Sequence, residues 1–276
     1  MKIYISVDME GATGIVHPDQ VTAGKEEYSF GRAMQMHDLM AAVEGAKKGG
    51  ATEIIVNDAH SRMINLDPRG TDPDITLISG SPKELGMMEG VEGAVGVFFL
   101  AYHAMTGTQG AVLDHSLSTA AYEMRLNGKP VGETGLNAAI CSSCGIPVIL
   151  VTGDSAVCQE AEDLFEGKII TCPVKQGRGQ FCADLLSPEE TARKISLGAR
   201  EAVQGLKKDL FSVPKLETPY RLDITFQYTS QCDACAVIPC CRRTGGRTVT
   251  FKGEDLMEMR RWASVAMDLA ESMPRW

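Results

Sequence analysis

Residues 1–14 read MKIYISVDMEGATG. Ile3, Ile5 and Val7 alternate with Lys2, Tyr4 and Ser6, a β-branched run of the kind that forms a strand. The run ends in Asp8-Met9-Glu10 and meets Gly11-Ala12-Thr13-Gly14. In open α/β sheets, chemistry sits where a strand delivers polar residues into a glycine loop. Kept extended, Asp8 and Glu10 point to the same side, about 7 Å apart by strand rise. Both then reach a pair of metal ions. The plainer alternative is that Asp8 caps the turn and Glu10 is solvated.

The same architecture recurs downstream. Phe30 to Lys48 reads as a helix, with Met34, His37, Leu39, Met40, Val43 and Ala46 at three- and four-residue steps and Gly49-Gly50 closing it. His37 on that face reads as a helix residue with a partner, not a ligand. Thr52 to Val56 is a second strand, ending in Asn57-Asp58-Ala59-His60. Strand, helix and strand in that order predict a parallel pair. Ile75 to Ser79 is a third strand and Leu85 to Glu92 a short helix. The apolar run Ala94 to Ala101 suits a central strand buried on both faces, and it ends in Tyr102-His103. Tyr122 to Val131 is a hairpin turning at Asn127-Gly128. Gly132-Glu133 opens a helix to Cys144, where Glu133 alone could serve the helix N-terminus.

Val148 to Gly153 and the helix Ser155 to Phe165 form one more unit of this type. Ile169 to Val174 is a strand, Gln176 to Cys182 a loop, and Ser187-Pro188 starts a helix to about Gly205. The segment Ile15 to Ser29 reads as a loop. Beyond the linker Pro214 to Pro219, strands are expected at Arg221–Tyr228, Val237–Cys241 and Arg247–Lys252, with a last helix to about Met273. The expected fold is α/β, a largely parallel central sheet flanked by helices. Residues 1–208 form a catalytic domain and residues 209–276 a smaller C-terminal α+β domain.

The formal charge of −9 over 276 residues argues against nucleic acid and anionic membranes as partners. The longest uncharged apolar run, Ala94 to Ala104, is too short to span a bilayer. The first residues form a strand, not a signal peptide. The nine cysteines are therefore expected as reduced thiols in a cytoplasmic protein. Cys141-Ser-Ser-Cys144 and Cys232-Asp-Ala-Cys235, with Cys240-Cys241, have spacings found in zinc sites. The first pair falls in a helix and the second among strand-like residues without the glycines of a zinc ribbon, so buried thiols are the expectation.

Of five histidines, His60, His103 and His115 follow strands or their loops. With Asp8, Glu10 and Glu133 they make a mixed carboxylate–imidazole set suited to zinc. Such a set exceeds what one catalytic zinc needs and fits two ions about 3.5–4 Å apart, with Asp8 bridging.

These stretches carry a resemblance. KIYISVDMEGATG, VNDAHSRMINLDP, LISGSPK, FFLAYHAMTG, LDHSLS, NGKPVGETGLNA and VILVTGD are similar to the zinc-dependent D-aminopeptidase family, self-compartmentalising D-stereospecific peptidases associated with dipeptide transport. The match covers the first 154 residues and continues more weakly to the C-terminal helix. It implies zinc ligands at Asp8, Glu10, His60, His103 and Glu133, two zinc ions per subunit, and His115 as nucleophile. It also implies a homo-oligomer, a decamer of two stacked pentamers with the sites facing an inner chamber. The sequence departs from the family pattern at Cys232–Cys241, at Asp114 before His115, and by one residue less before His103. None of these removes a ligand.

On residue chemistry alone, His115 beside two metals could equally be a general acid–base or stabilise a tetrahedral intermediate. The resulting expectation is a metallo-aminopeptidase that hydrolyses short peptides, D-amino-acid peptides among them, from a free amino-terminus. Asn57 and Asp58 are candidate substrate-binding residues, Asp58 or Glu10 as a partner for the substrate ammonium. Two alternatives remain: a dinuclear hydrolase of another small amide or ester, and a non-catalytic cysteine–zinc protein.

Overall fold

Both faces of the first strand, β1 (Lys2–Val7), are covered. Ile3, Ile5 and Val7 enter one apolar cluster, and Tyr4 enters the opposite one. The alternation is real, but Tyr4 and Ser6 are buried too. Tyr4 Oη donates to the carbonyls of Met87 and Glu89, and Ser6 Oγ to that of Met87. A strand can hide hydroxyls in this way because each finds an acceptor.

The computed structural model describes residues 1–274. After β1 come a single helical turn α1 (Pro18–Val21), helix α2 (Tyr28–Gly49), β2 (Glu53–Asp58), β3 (Ile75–Ile78) and β4 (Gly96–Tyr102). They are followed by β5 (Ala121–Leu126), β6 (Lys129–Pro130), α3 (Glu133–Ser143), β7 (Val148–Asp154) and α4 (Ser155–Leu164). Next are β8 (Ile170–Gly179), β9 (Cys182–Leu185), α5 (Pro188–Leu206), β10 (Tyr220–Phe226) and α6 (Thr229–Cys235). The chain closes with β11 (Cys241–Arg243), β12 (Thr248–Gly253) and α7 (Leu256–Glu271).

Among the described residues, the main sheet has the order β3-β2-β1-β4-β7-β8-β9. All neighbours are parallel except the β8–β9 edge hairpin. Counted along the chain, the parallel strands run 3-2-1-4-5-6, so the direction of winding reverses between β1 and β4. Side chains of α2 and α5 cover one face, and those of α3 and α4 the other. α2 and α5 approach so closely that a Cβ on Gly45 would lie 2.1 Å from the Ser196 carbonyl oxygen.

A second, antiparallel sheet runs β11-β12-β10-β5-β6 and packs its apolar face on α6 and α7. It draws β5 and β6 from residues 121–130, so it is not built from residues 209–276 alone. The β5–β6 turn has φ of 50° at Asn127 and 81° at Gly128, as a two-residue hairpin requires.

Four local expectations differ from the structure. The segment after Gly14 contains α1, because Gln20 Oε1 accepts from the amides of Val16 and His17 and starts a turn. Residues 176–179 are strand rather than loop, since edge pairing with β9 holds them despite weak propensity. Leu85 to Glu92 shortens to a 3₁₀ turn at Gly86–Met88. The expected strand Val237–Cys241 is mostly turn: α6 precedes it, begun by Gln231 Oε1 accepting from Tyr228 N, and only Cys241–Arg243 pairs.

Candidate metal centre

Chain geometry at the carboxyl end of β1 sets the position of the acids. The strand stops at Val7 and the chain bends through Met9 and Glu10, so Asp8 and Glu10 are not held at strand spacing. Gly11 N donates to Ala101 O and Asp8 N to Leu100 O, tying the bend to β4. Met9 is fully buried and anchors a small apolar cluster with Ala12, Ile15, Val21 and Ala101. Both acids consequently converge on one imidazole nitrogen. His60 Nδ1 lies 3.2 Å from Asp8 Oδ1 and 3.0 Å from Glu10 Oε2.

His103 reaches the same point from β4. The pairing of β4 with β7 is irregular between Phe99 and Tyr102, and Ala101 has φ of 59°. Backbone strain of this kind collects at functional sites. The kink turns the Tyr102 carbonyl into space that only glycines leave open: a Cβ on Gly11 would lie 1.9 Å from it, and one on Gly153 2.1 Å. His103 Nε2 then stands 3.5 Å from Asp8 Oδ2 and 3.3 Å from Glu133 Oε1. Glu133 opens α3, and its Oε1 accepts from Leu117 N at 2.8 Å. His115 stacks on His103, with ring centroids 3.9 Å apart, and its Nε2 lies 3.6 Å from Glu133 Oε1.

Each of the three imidazoles is fixed by a backbone carbonyl. His60 Nε2 donates to Val21 O, one of the carbonyls left over at the end of α1, at 2.8 Å. His103 Nδ1 donates to Ala104 O at 3.0 Å, and His115 Nδ1 to Leu113 O at 2.9 Å. A carbonyl can only accept, so in the neutral ring the opposite nitrogen carries the lone pair. In all three cases that nitrogen faces the carboxylates. This is the arrangement by which proteins orient metal-binding histidines. Asp8 Oδ2, Glu10 Oε2 and His103 Nε2 are buried with no hydrogen-bond partner. Ligand atoms of Asp8, Glu10 and His103, and of His103, His115 and Glu133, lie within 4.8 Å of one another. Buried groups without partners cost free energy, and a cation at these points would satisfy all three. The donor set of carboxylates and imidazoles fits zinc.

Electrostatics in the cluster reflect crowding. Burial, reinforced by Glu10, pushes Asp8 up to about 7. Burial acts the same way on Glu10 and Glu133, but the neighbouring imidazoles outweigh it: Glu10 falls well below the usual range and Glu133 to about 2. His60 and His103 rise well above an ordinary histidine, their adjacent carboxylates outweighing burial. His115 goes the other way, lowered by burial and by His103.

Asn57 and Asp58 do not join the cluster. Asp58 accepts from the Asn65 and Leu66 amides and from Asn65 Nδ2, which shapes the loop after His60. Asn57 donates to Gly86 O and accepts from Lys83 Nζ. Both are fully buried. Asp114 accepts from Gly107 N and closes the loop before His115. His37 pairs with Asp38 at 2.9 Å. The cysteines stay apart from this chemistry. No cysteine belongs to either candidate metal group among the described residues, and Cys232 and Cys235 lie buried on α6. Cys235 Sγ donates to Ala266 O, and burial pushes its thiol up to about 12, away from the thiolate that zinc requires.

Three supporting residues gave no sequence signal: Lys175, Asp38 and Glu160. Lys175 stands alone in a strand, Asp38 lies in a helix beside His37, and Glu160 is one of several acids in α4. Glu160 accepts from Met105 N at 2.8 Å, two residues after His103.

The chain is 35% identical over 274 residues to the D-aminopeptidase of Bacillus subtilis (strain 168), covering 98% of each sequence. Its fold matches the solved structure of the "Zn-dependent D-aminopeptidase DppA from Bacillus subtilis, a self-compartmentalizing protease", with a TM-score of 0.96, 33% identity and full coverage of both chains. The D-aminopeptidase family, peptidase M55, matches residues 1–265. The chain therefore belongs to the M55 family of D-aminopeptidases.

Proposed function

We propose that the protein is a dinuclear zinc aminopeptidase that removes residues from the free amino-terminus of short D-amino-acid peptides. One observation carries the reading: three histidines, each pinned through one nitrogen to a backbone carbonyl, turn the other nitrogen toward Asp8, Glu10 and Glu133. Asp8 sits between the two halves of the cluster, with Oδ1 near His60 and Oδ2 near His103. It would be a ligand shared by both ions. Glu10 and His60 would hold one ion, and His103 and Glu133 the other.

Zinc held there supplies Lewis-acid polarisation of the scissile carbonyl and acidification of water. His115 is the group left to handle substrate. It is the most exposed member of the set, and its Nδ1–H is occupied by Leu113 O. The lone pair on Nε2 can take a proton from the attacking group or attack the carbonyl itself. Burial and the neighbouring His103 lower its pKa, which favours the neutral imidazole that either role needs. The stacked His103 ring fixes its plane. The solved relative is a self-compartmentalizing protease, and this protein is proposed to compartmentalise likewise as a homo-oligomer, a decamer, in the cytoplasm. Among the described residues, no helix is long and apolar enough to cross a membrane.

The test combines metal analysis with stereospecific substrates. The wild type is expected to hold about two zinc ions per chain and to cleave D-Ala-D-Ala in preference to L-Ala-L-Ala. Asp8→Ala is expected to lose metal, and Cys232→Ala to keep it. Inactivity on both dipeptides at full zinc occupancy would refute the peptidase reading.

A further inference from the structure

Lys175 lies in β8, separated from β1 by β4 and β7 in the sheet, yet its side chain ends in the loop that follows β1. Its Nζ donates to Glu10 O at 2.7 Å, Ala12 O at 2.9 Å and Ile15 O at 2.7 Å. The residue is 2% exposed. An ammonium has three N–H bonds and no acceptor, so three carbonyls satisfy it completely. A neutral amine would aim a lone pair at one of them. A buried cation persists only when it is hydrogen-bonded in this way.

We propose that Lys175 is a positioning residue for the metal centre, its ammonium gathering the backbone of residues 10–15 so that the Glu10 carboxylate stays directed at its ion. The inference rests on the zinc reading above. Other contacts grip the same loop at different points. Gln35 Nε2 donates to Asp8 O at 3.1 Å, and the Asp38 carboxylate accepts from Thr13 N and Thr13 Oγ1 at 2.9 and 2.6 Å. Neither touches Glu10. Lys175 is the contact that crosses the sheet to the backbone of a ligand residue.

Two physical effects of removing Lys175 have opposite signs. Losing a positive charge near two cations would tighten zinc binding. Losing the gathered loop would weaken it. Supporting residues around metal ligands typically carry about 10–100-fold in affinity, so the ordering effect is expected to dominate.

The experiment uses the full chain, stripped of metal. Zinc affinity is measured by competition with a chromogenic chelator for wild type, Lys175→Met and Lys175→Arg, with melting temperature beside it. Zinc binding to Lys175→Met is expected to weaken at least tenfold, with Lys175→Arg in between. Unchanged or tighter binding by folded Lys175→Met would overturn the proposal, because a purely structural lysine moves the melting temperature alone. A second arm does not depend on variants folding. In the metal-free wild type, the amides of Gly11, Ala12, Thr13 and Ile15 should resist hydrogen exchange as those of β1 do. Fast exchange there would also overturn it. If the wild type binds no zinc, the zinc reading fails, while exchange at residues 11–15 that is no faster in Lys175→Met than in the wild type would still show that Lys175 does not hold the loop.

Discussion

His115 and Glu160 show how two half-buried titratable groups beside one centre take different jobs. His115 is reached by solvent, and its Nε2 has no backbone partner. His115→Gln is expected to fold and keep zinc while losing about 10²–10⁴-fold in kcat, the usual worth of a positioned proton-transfer group. A burst of product in single-turnover mixing of the wild type would mark a covalent step, and its absence would leave His115 as acid–base. Glu160 is raised to about 7, chiefly by burial. Its folded-state value exceeds the unfolded one, so its contribution to stability is complete below about pH 4.5 and lost as pH rises through 7. Glu160→Gln can still accept from Met105 N. The variant should therefore gain on the wild type as pH rises from 5 to 8, by about 1–3 kcal/mol. Urea unfolding at both pH values checks this, and an equal difference at both would refute it. At this scale the convergence was legible: Asp8, Glu10, His60, His103, His115 and Glu133, which the fold brings together, all follow strands or open a helix. Asn57 and Asp58 also end a strand but lie outside the cluster, because a polar residue at a strand end can as readily brace the next loop. Lys175 was invisible because its three acceptors are carbonyls, which every residue has.

The kinked end of β4 is the element on which the centre depends. It presents the Tyr102 carbonyl between Gly11 and Gly153 and so aims His103 at Asp8. Gly153→Ala is expected to push that carbonyl away. A cost of about 1–3 kcal/mol follows from overpacking, accompanied by loss of zinc rather than of the fold. Calorimetry with metal analysis distinguishes this from a purely local adjustment, which would leave zinc content intact. β-strands with buried faces, such as Ala94 to Ala101, announce themselves through apolar composition. The kink does not, since Ala101 carries no sign of its φ of 59°. The helical CxxC at Cys232 was hidden for a related reason: Gln231 starts α6 through a hydrogen bond, which periodicity does not register.

The order of the whole sheet explains why the cluster lies where it does. Ligands in open α/β sheets bind at the carboxyl ends of strands where the winding reverses, and here that crevice falls between β1, bearing Asp8, and β4, bearing His103. The strand–helix–strand alternation revealed this sheet, whereas the partnership of β5 with β10 was not visible, because nothing local links residues 121–126 to 220–226. Removing zinc should destabilise the entire molecule. At a free-zinc excess of about a thousandfold over Kd, binding to the native state alone contributes about 4 kcal/mol, so chelation should lower Tm. The loss should shrink below neutral pH, since Asp8, His60 and His103 hold protons that zinc must displace. A Tm indifferent to chelator at pH 8 would refute this. The brace from β8 and the pairing of β5 with β10 also impose a timetable on synthesis. All six site residues have been made once residue 133 leaves the ribosome. The loop bearing Glu10 must still wait for Lys175, and the hairpin between His115 and Glu133 for residues 220–226. The nascent chain thus carries its full complement of ligands for some ninety residues before it can close them into a tight centre, and metal capture becomes a late event of synthesis.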